Sequence, residues 1–244
     1  YRSNPMKLAQ FTLSRRDPDY VPRAKATAAL EALRAAGHAG EDDTLSAALR
    51  ALGLTAEDAQ RLHIGSVLFA NKPGDGSARE QAASCQRVLG GSANICYEFA
   101  TKRYRSNCVN WGILPFTLAA GDSFDGVPGD FIYVPRVREK LAAGDEVFPA
   151  VLLRGGEKRD MTLYLKNTDA QERELLLRGG RGLRRARSRG APVRCLRVRQ
   201  AGVPGLRPSP AGRAAAIRPQ HRGVAGYSRP VRRSAFAGGL RPAG

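Results

Sequence analysis

Between residues 60 and 180, short apolar runs alternate with patterns of helical period. Ile64-Gly-Ser-Val-Leu-Phe-Ala70 is a continuous apolar run of strand length and predicts a buried strand. Glu80 to Gly90 predicts a helix stopped by Gly90-Gly91. Ser92 to Phe99 then reads as strand, Thr101 to Gly112 as helix, and Ile113 to Leu118 as strand again. Asp130 to Pro135 predicts a strand and Val137 to Ala143 a short helix. Glu146–Leu153 and Asp160–Leu165 predict a hairpin around Gly155-Gly-Glu-Lys158. Thr168-Asp-Ala-Gln171 has the form of a capping box opening a last helix. This irregular alternation predicts an α/β domain with a mixed sheet.

Upstream the pattern is helical. Ala24 to Ala36 is Ala-rich and ends at Gly37. Asp42-Asp-Thr opens a helix over Leu45–Leu52 with Gly53 as its stop, and Thr55-Ala-Glu-Asp58 caps a further short helix. We read residues 24–62 as a helical insertion ahead of the α/β elements. Tyr1 to Pro22 reads as irregular because of Pro5, Pro18 and Pro22, with Phe11-Thr-Leu13 as a candidate short strand.

Charge divides the chain in two. The formal net charge is +18, which points to a nucleic-acid binder until its location is considered. From Gly179 onward there are 16 Arg and no Lys, Asp or Glu, which leaves 24 basic and 22 acidic residues before it. Residues 1–179 are therefore an ordinary folded body, and 180–244 an Arg-, Gly-, Pro- and Ala-rich tail expected to be disordered. Arg without Lys, among Ala, Gly and Pro, is what GC-rich DNA yields out of frame, and we read the tail as frameshifted. Coding DNA near codon 179 that restores no apolar ending in another frame would overturn that reading. Salt-sensitive RNA binding through the tail is the lesser alternative.

The four cysteines, Cys85, Cys96, Cys108 and Cys195, show neither zinc-knuckle nor ferredoxin spacing, and read as inert thiols of a reduced, cytoplasmic protein. His38 and His63 are isolated and read as surface or packing residues rather than metal ligands. No apolar run approaches the roughly 20 residues a membrane span needs, so no membrane partner is expected. The start at Tyr1, without a signal peptide, reads as a fragment lacking its natural N-terminus.

The chemistry concentrates in Lys72-Pro-Gly-Asp-Gly-Ser-Ala-Arg-Glu-Gln81, set between a strand and a helix. Such a loop aims backbone N–H groups forward. Gly74 and Gly76 permit tight turns and close approach of a ligand. Ser77 offers a hydroxyl, and Arg79 a planar fork suited to a carboxylate. From the residues alone this is an anion site, for carboxylate or phosphate.

Gly74-Asp-Gly-Ser-Ala-Arg-Glu80 resembles the Gly-x-Gly-Ser-Ser-Arg-[Asp/Glu] loop of the aconitase superfamily's swivel domain. Arg103-Tyr-Arg-Ser-Asn107 with Trp111-Gly-Ile-Leu-Pro-Phe116 resembles that family's His-Arg-Ser-Asn…Gly-[Val/Leu]-Leu-Pro-Leu segment. Asp169-Ala-Gln-Glu-Arg-Glu-Leu-Leu-Leu-Arg-Gly-Gly180 resembles its last helix and Gly-Gly. The resemblance covers about residues 60–180 and implies a swivelling β/β/α fold. It also implies a hydro-lyase acting on a hydroxy-polycarboxylic acid of citrate or isocitrate type. A [4Fe–4S] cluster is implied too, ligated by domains or a large subunit absent from this chain. Gly74, Gly76, Ser77 and Arg79 become substrate-binding candidates. Ala78 falls where the family has its proton-abstracting serine, and a methyl group accepts no proton. That leaves a second reading, a catalytically silent carboxylate-binding relative. By itself the chain is expected to be inactive.

Overall fold

The computed structural model describes residues 4–180 and, as backbone, Val193–Gln200. Three strands run parallel side by side: β1 (Leu62–Phe69), β2 (Gly91–Cys96) and β3 (Leu114–Thr117). Parallel neighbours need long crossovers, supplied here by α5 (Arg79–Val88) and α6 (Lys102–Asn110). The order continues from β3 to β6 (Glu157–Tyr164), β5 (Val147–Arg154) and β4 (Phe131–Val134), all antiparallel neighbours. The backbone of β7 (Val193–Gln200) pairs antiparallel with β4 and parallel with β1, closing the barrel. The expected α/β fold with mixed pairing is the observed one.

Two apolar clusters hold this arrangement. Inside, Val67, Phe69, Ile95, Phe116, Ile132 and Phe148 form the centre of the main core, joined by Leu141 of α7 (Val137–Ala143) and Leu176 of α8 (Ala170–Leu177). A second cluster joins α2 (Tyr20–Ala35), α3 (Asp43–Leu52) and α4 (Ala56–Gln60) to Leu62, Ile64, Phe131 and Leu153 of the sheet. The caps follow the sequence. Asp42 accepts from the Leu45 N–H at 2.8 Å, Gly53 ends α3 in the left-handed region, and Thr55 with Asp58 forms a reciprocal capping box.

Four local expectations are corrected. Phe11-Thr-Leu13 is turn, not strand, with Leu13 at φ 57°. The irregular N-terminal stretch contains α1 (Pro5–Ala9) and the start of α2. Pro22 sits in the first turn of α2, where a missing N–H costs no intrahelical bond. The cap of α8 is Asp169, which accepts from the Glu172 N–H at 2.7 Å, rather than Thr168. The β5–β6 turn is Gly155-Gly156 alone, both glycines having positive φ. The tail reading over 180–244 lies outside the described residues apart from Gly180 and Val193–Gln200, and the strand there was not anticipated.

Candidate functional site

The Gly-rich loop leaves the C-terminal end of β1 and leads into the N-terminus of α5. Gly74 is its pivot. It has φ +98°, and its carbonyl accepts from Arg79 Nε and from Thr101 Oγ1, each at 3.1 Å. Pro73 O accepts from the Ala100 N–H at 2.9 Å, and Asn71 O from the Tyr97 N–H at 3.2 Å. The loop after β2 thus carries the loop after β1. Across their outer surface Lys72 and Glu98 pair at 2.7 Å, exposed and worth little to stability.

Beneath the loop lies a buried polar network. The Tyr104 ring packs on Gly74, and its hydroxyl accepts from Asn94 Nδ2 at 3.1 Å. Asn94 Nδ2 also lies 3.3 Å from Cys108 Sγ, and its Oδ1 accepts from Gln86 Nε2. Burial pushes the Tyr104 hydroxyl well above its ordinary pKa, so it stays protonated. The network runs from α5 through β2 to α6, fixing where the loop sits.

The sequence-predicted residues come together in one arc, Gly76 and Ser77 exposed, Gly74 and Arg79 half-buried. Arg79 spends Nε on Gly74, while Nη1 and Nη2 have no partner among the described residues. Ser77 is exposed. Gly76 faces open space: a Cβ there would meet no atom within 4 Å. Ala78 is the N-cap of α5 and offers no side-chain acceptor, so the first-turn N–H groups of Arg79, Glu80 and Gln81 have no acceptor among the described residues. A half-anchored guanidinium and an uncapped helix start concentrate positive potential where an anion would bind.

The neighbouring arginines divide. Arg105 donates to both Glu172 oxygens at 2.9 Å, to Asn167 O at 3.0 Å and to Thr168 Oγ1 at 2.8 Å, tying α6 to the segment before α8. Arg103 is exposed and makes no hydrogen bond or ion pair among the described residues. Cys85, Cys96 and Cys108 are buried free thiols, and burial raises the pKa of each, that of Cys96 and Cys108 to about 12. Among the described residues, no group of three or more His, Cys, Asp or Glu side chains is placed to hold a metal ion. They therefore do not fit an iron–sulfur cluster. No helix among them is long and apolar enough to cross a membrane.

Thr101, Tyr104, Asn94 and Gln86 were not singled out as site residues from the sequence. Thr101 gave a signal, being the cap of α6: it accepts from the Tyr104 N–H at 3.3 Å. Asn94 and Gln86 gave none.

This loop, its helix and the strands beside it resemble an aconitase C-terminal domain. Residues 32–121 match the family model described as the aconitase C-terminal domain, a span that contains the whole site loop and α6. The chain is similar to aconitate hydratase A of Bradyrhizobium diazoefficiens, 40% identical over 74 residues. That match covers 29% of this chain and 8% of the relative's length.

Proposed function

We propose that this chain is the swivel-domain part of an aconitase-like hydro-lyase, whose loop Gly74–Arg79 binds one carboxylate of a hydroxy-polycarboxylic acid of citrate or isocitrate type. The observation that carries the reading is Arg79, held through Nε on Gly74 with both terminal nitrogens left for a bidentate acceptor. Its place within a match to the aconitase C-terminal domain supports the substrate class. Gly76 leaves room for the ligand, and Ser77 supplies a hydroxyl at the rim. The [4Fe–4S] cluster that such an enzyme uses would be held by chain beyond these residues, as would most of the substrate contacts.

A second reading rests on Ala78. Its methyl group stands at the N-cap of α5, in the position the resemblance assigns to the proton-abstracting serine. Ser77, one residue earlier, is displaced from that position. A relative that binds polycarboxylate without turnover fits this substitution.

The test is cis-aconitate hydration by the cluster-loaded full-length parent protein, beside its Ala78→Ser and Arg79→Lys variants. Turnover by the natural sequence, lost in Arg79→Lys, supports the hydro-lyase. Turnover only in Ala78→Ser selects the silent relative. Undiminished turnover in Arg79→Lys refutes the role of Arg79.

A further inference from the structure

A second concavity, of about 440 Å³, lies at the other end of β1 from the site loop. Its walls come from α2, β1, the last turn of α5 and the end of α6, and include Glu31, His63, Ile64, Arg87 and Trp111. The size falls within the ordinary range of small-molecule pockets.

The polar groups of this wall are unequally occupied. Glu31 Oε1 lies 2.8 Å from His63 Nδ1 and accepts from Arg34 Nη2 at 2.9 Å. Its Oε2 accepts from Arg34 Nε at 2.7 Å and from the Ile64 N–H at 2.8 Å. A carboxylate only accepts, so Nδ1 of His63 carries a proton and Nε2 meets Ser92 Oγ at 3.2 Å. The Glu–His–Ser order has the connectivity of a hydrolytic triad, but Ser92 is wholly buried and no substrate reaches its hydroxyl. Its effect is to lock the imidazole, both nitrogens being engaged. Glu31 is neutralised within the protein by Arg34.

Arg87 is different. Nη1 donates to Gly91 O at 3.0 Å, while Nε and Nη2 have no acceptor among the described residues, and no carboxylate pairs with it there. A partly desolvated guanidinium thus lines a cavity whose other polar side chains, Thr27, Glu31 and His63, are already engaged within the protein, the rest of the wall being apolar or aromatic. One unpaired cation accommodates one carboxylate. A second carboxylate would find no further unpaired cation in this wall, which disfavours the polycarboxylates proposed for the loop.

We propose that this cavity binds a small, flat, apolar monocarboxylate, its acid group on Arg87 and its body against Trp111 and Ile64. Trp111 is the single tryptophan of the chain, so its fluorescence reports on this wall alone. The experiment titrates the full chain with benzoate at constant ionic strength, with citrate and inorganic phosphate in parallel. The expected result is a saturable change with benzoate, at least tenfold weaker in Arg87→Gln and unchanged in Arg79→Gln. Because Arg87 also ties down Gly91, Ala28→Leu provides a second variant: Ala28 lines the cavity from an exposed position, and Leu there should abolish binding while leaving Tm unaltered. The inference is overturned by an absent or non-saturable response, or by equal affinity in Arg87→Gln. Benzoate binding that survives in a stably folded Ala28→Leu overturns it too, as does citrate or phosphate binding as tightly as benzoate.

Discussion

Gly74 and Tyr104 approach so closely that no side chain fits between them: a Cβ built on Gly74 would lie 2.5 Å from Tyr104 Cβ. The same glycine has φ +98°, a conformation L-residues rarely adopt. Gly74→Ala therefore incurs backbone strain of about 1–3 kcal/mol and displaces the ring beneath the loop. Gly76→Ala, facing open space, should change stability by less than about 0.5 kcal/mol. Denaturant midpoints of the two variants check this contrast; equal losses would remove Gly74 from its role as pivot.

Tyr104→Phe tests the network one layer deeper. The hydroxyl is the oxygen acceptor for Asn94 Nδ2, whose other neighbour is the weakly accepting sulfur of Cys108. Its removal leaves a buried amide under-satisfied, at a cost of about 1–3 kcal/mol. Because the network supports Gly74, amide exchange in residues 71–78 should quicken more than in β5 and β6. Uniform quickening would mean that the hydroxyl serves global stability only.

Arg105 Nη1 donates to both carboxylate oxygens of Glu172, in an ion pair whose side chains are only 17% and 20% exposed. Arg105→Met leaves Glu172 poorly solvated and unpaired and should cost about 3 kcal/mol. The double variant Arg105→Met/Glu172→Leu should be more stable than the sum of the single losses implies, because the stranded charge is gone. Strict additivity in a double-mutant cycle would contradict a direct pairing.

These contacts also mark how far the sequence could be read. Helix starts were legible where a cap is local: Asp42 to Leu45 and Thr55 to Asp58 span three residues each. The loop at Gly74–Arg79 was legible because strand, glycines and helix follow one another directly. Long-range partners left no trace. Glu31 meets His63 across 32 positions and Arg105 meets Glu172 across 67, and neither spacing has a period to betray it. His63 therefore looked isolated. The strand at Val193–Gln200 was hidden by the surrounding Arg, Gly and Pro composition, while its neighbours β1 and β4 lie far upstream.

The thiols make a chemical prediction. Thiolate is the reactive form, and burial holds Cys96 and Cys108 near pKa 12. At pH 8 both should resist iodoacetamide in the folded protein and react readily once unfolded in guanidinium. Peptide mass spectrometry resolves the two sites. Rapid native alkylation of Cys108 would show that α6 opens locally and that the network under the loop is open with it.

Glu31 contributes to the acid limb of stability. Its burial alone would raise the carboxyl pKa, but hydrogen bonds from His63, Arg34 and the Ile64 N–H together bring it down from 4.5 to about 2. A carboxyl depressed in the fold contributes stability above its unfolded pKa and loses it as pH falls through the folded one. The contribution should thus be complete at pH 6, decline below about pH 4.5 and be nearly gone near pH 2. Glu31→Gln removes it at the outset and leaves Arg34 and His63 without their carboxylate. Thermal unfolding from pH 2.5 to pH 7 should show a wide gap in Tm between the natural chain and Glu31→Gln at neutral pH, closing steadily as acid is added. A gap that stays constant across that range would mean that the side chain's shape, and not its charge, joins α2 to β1.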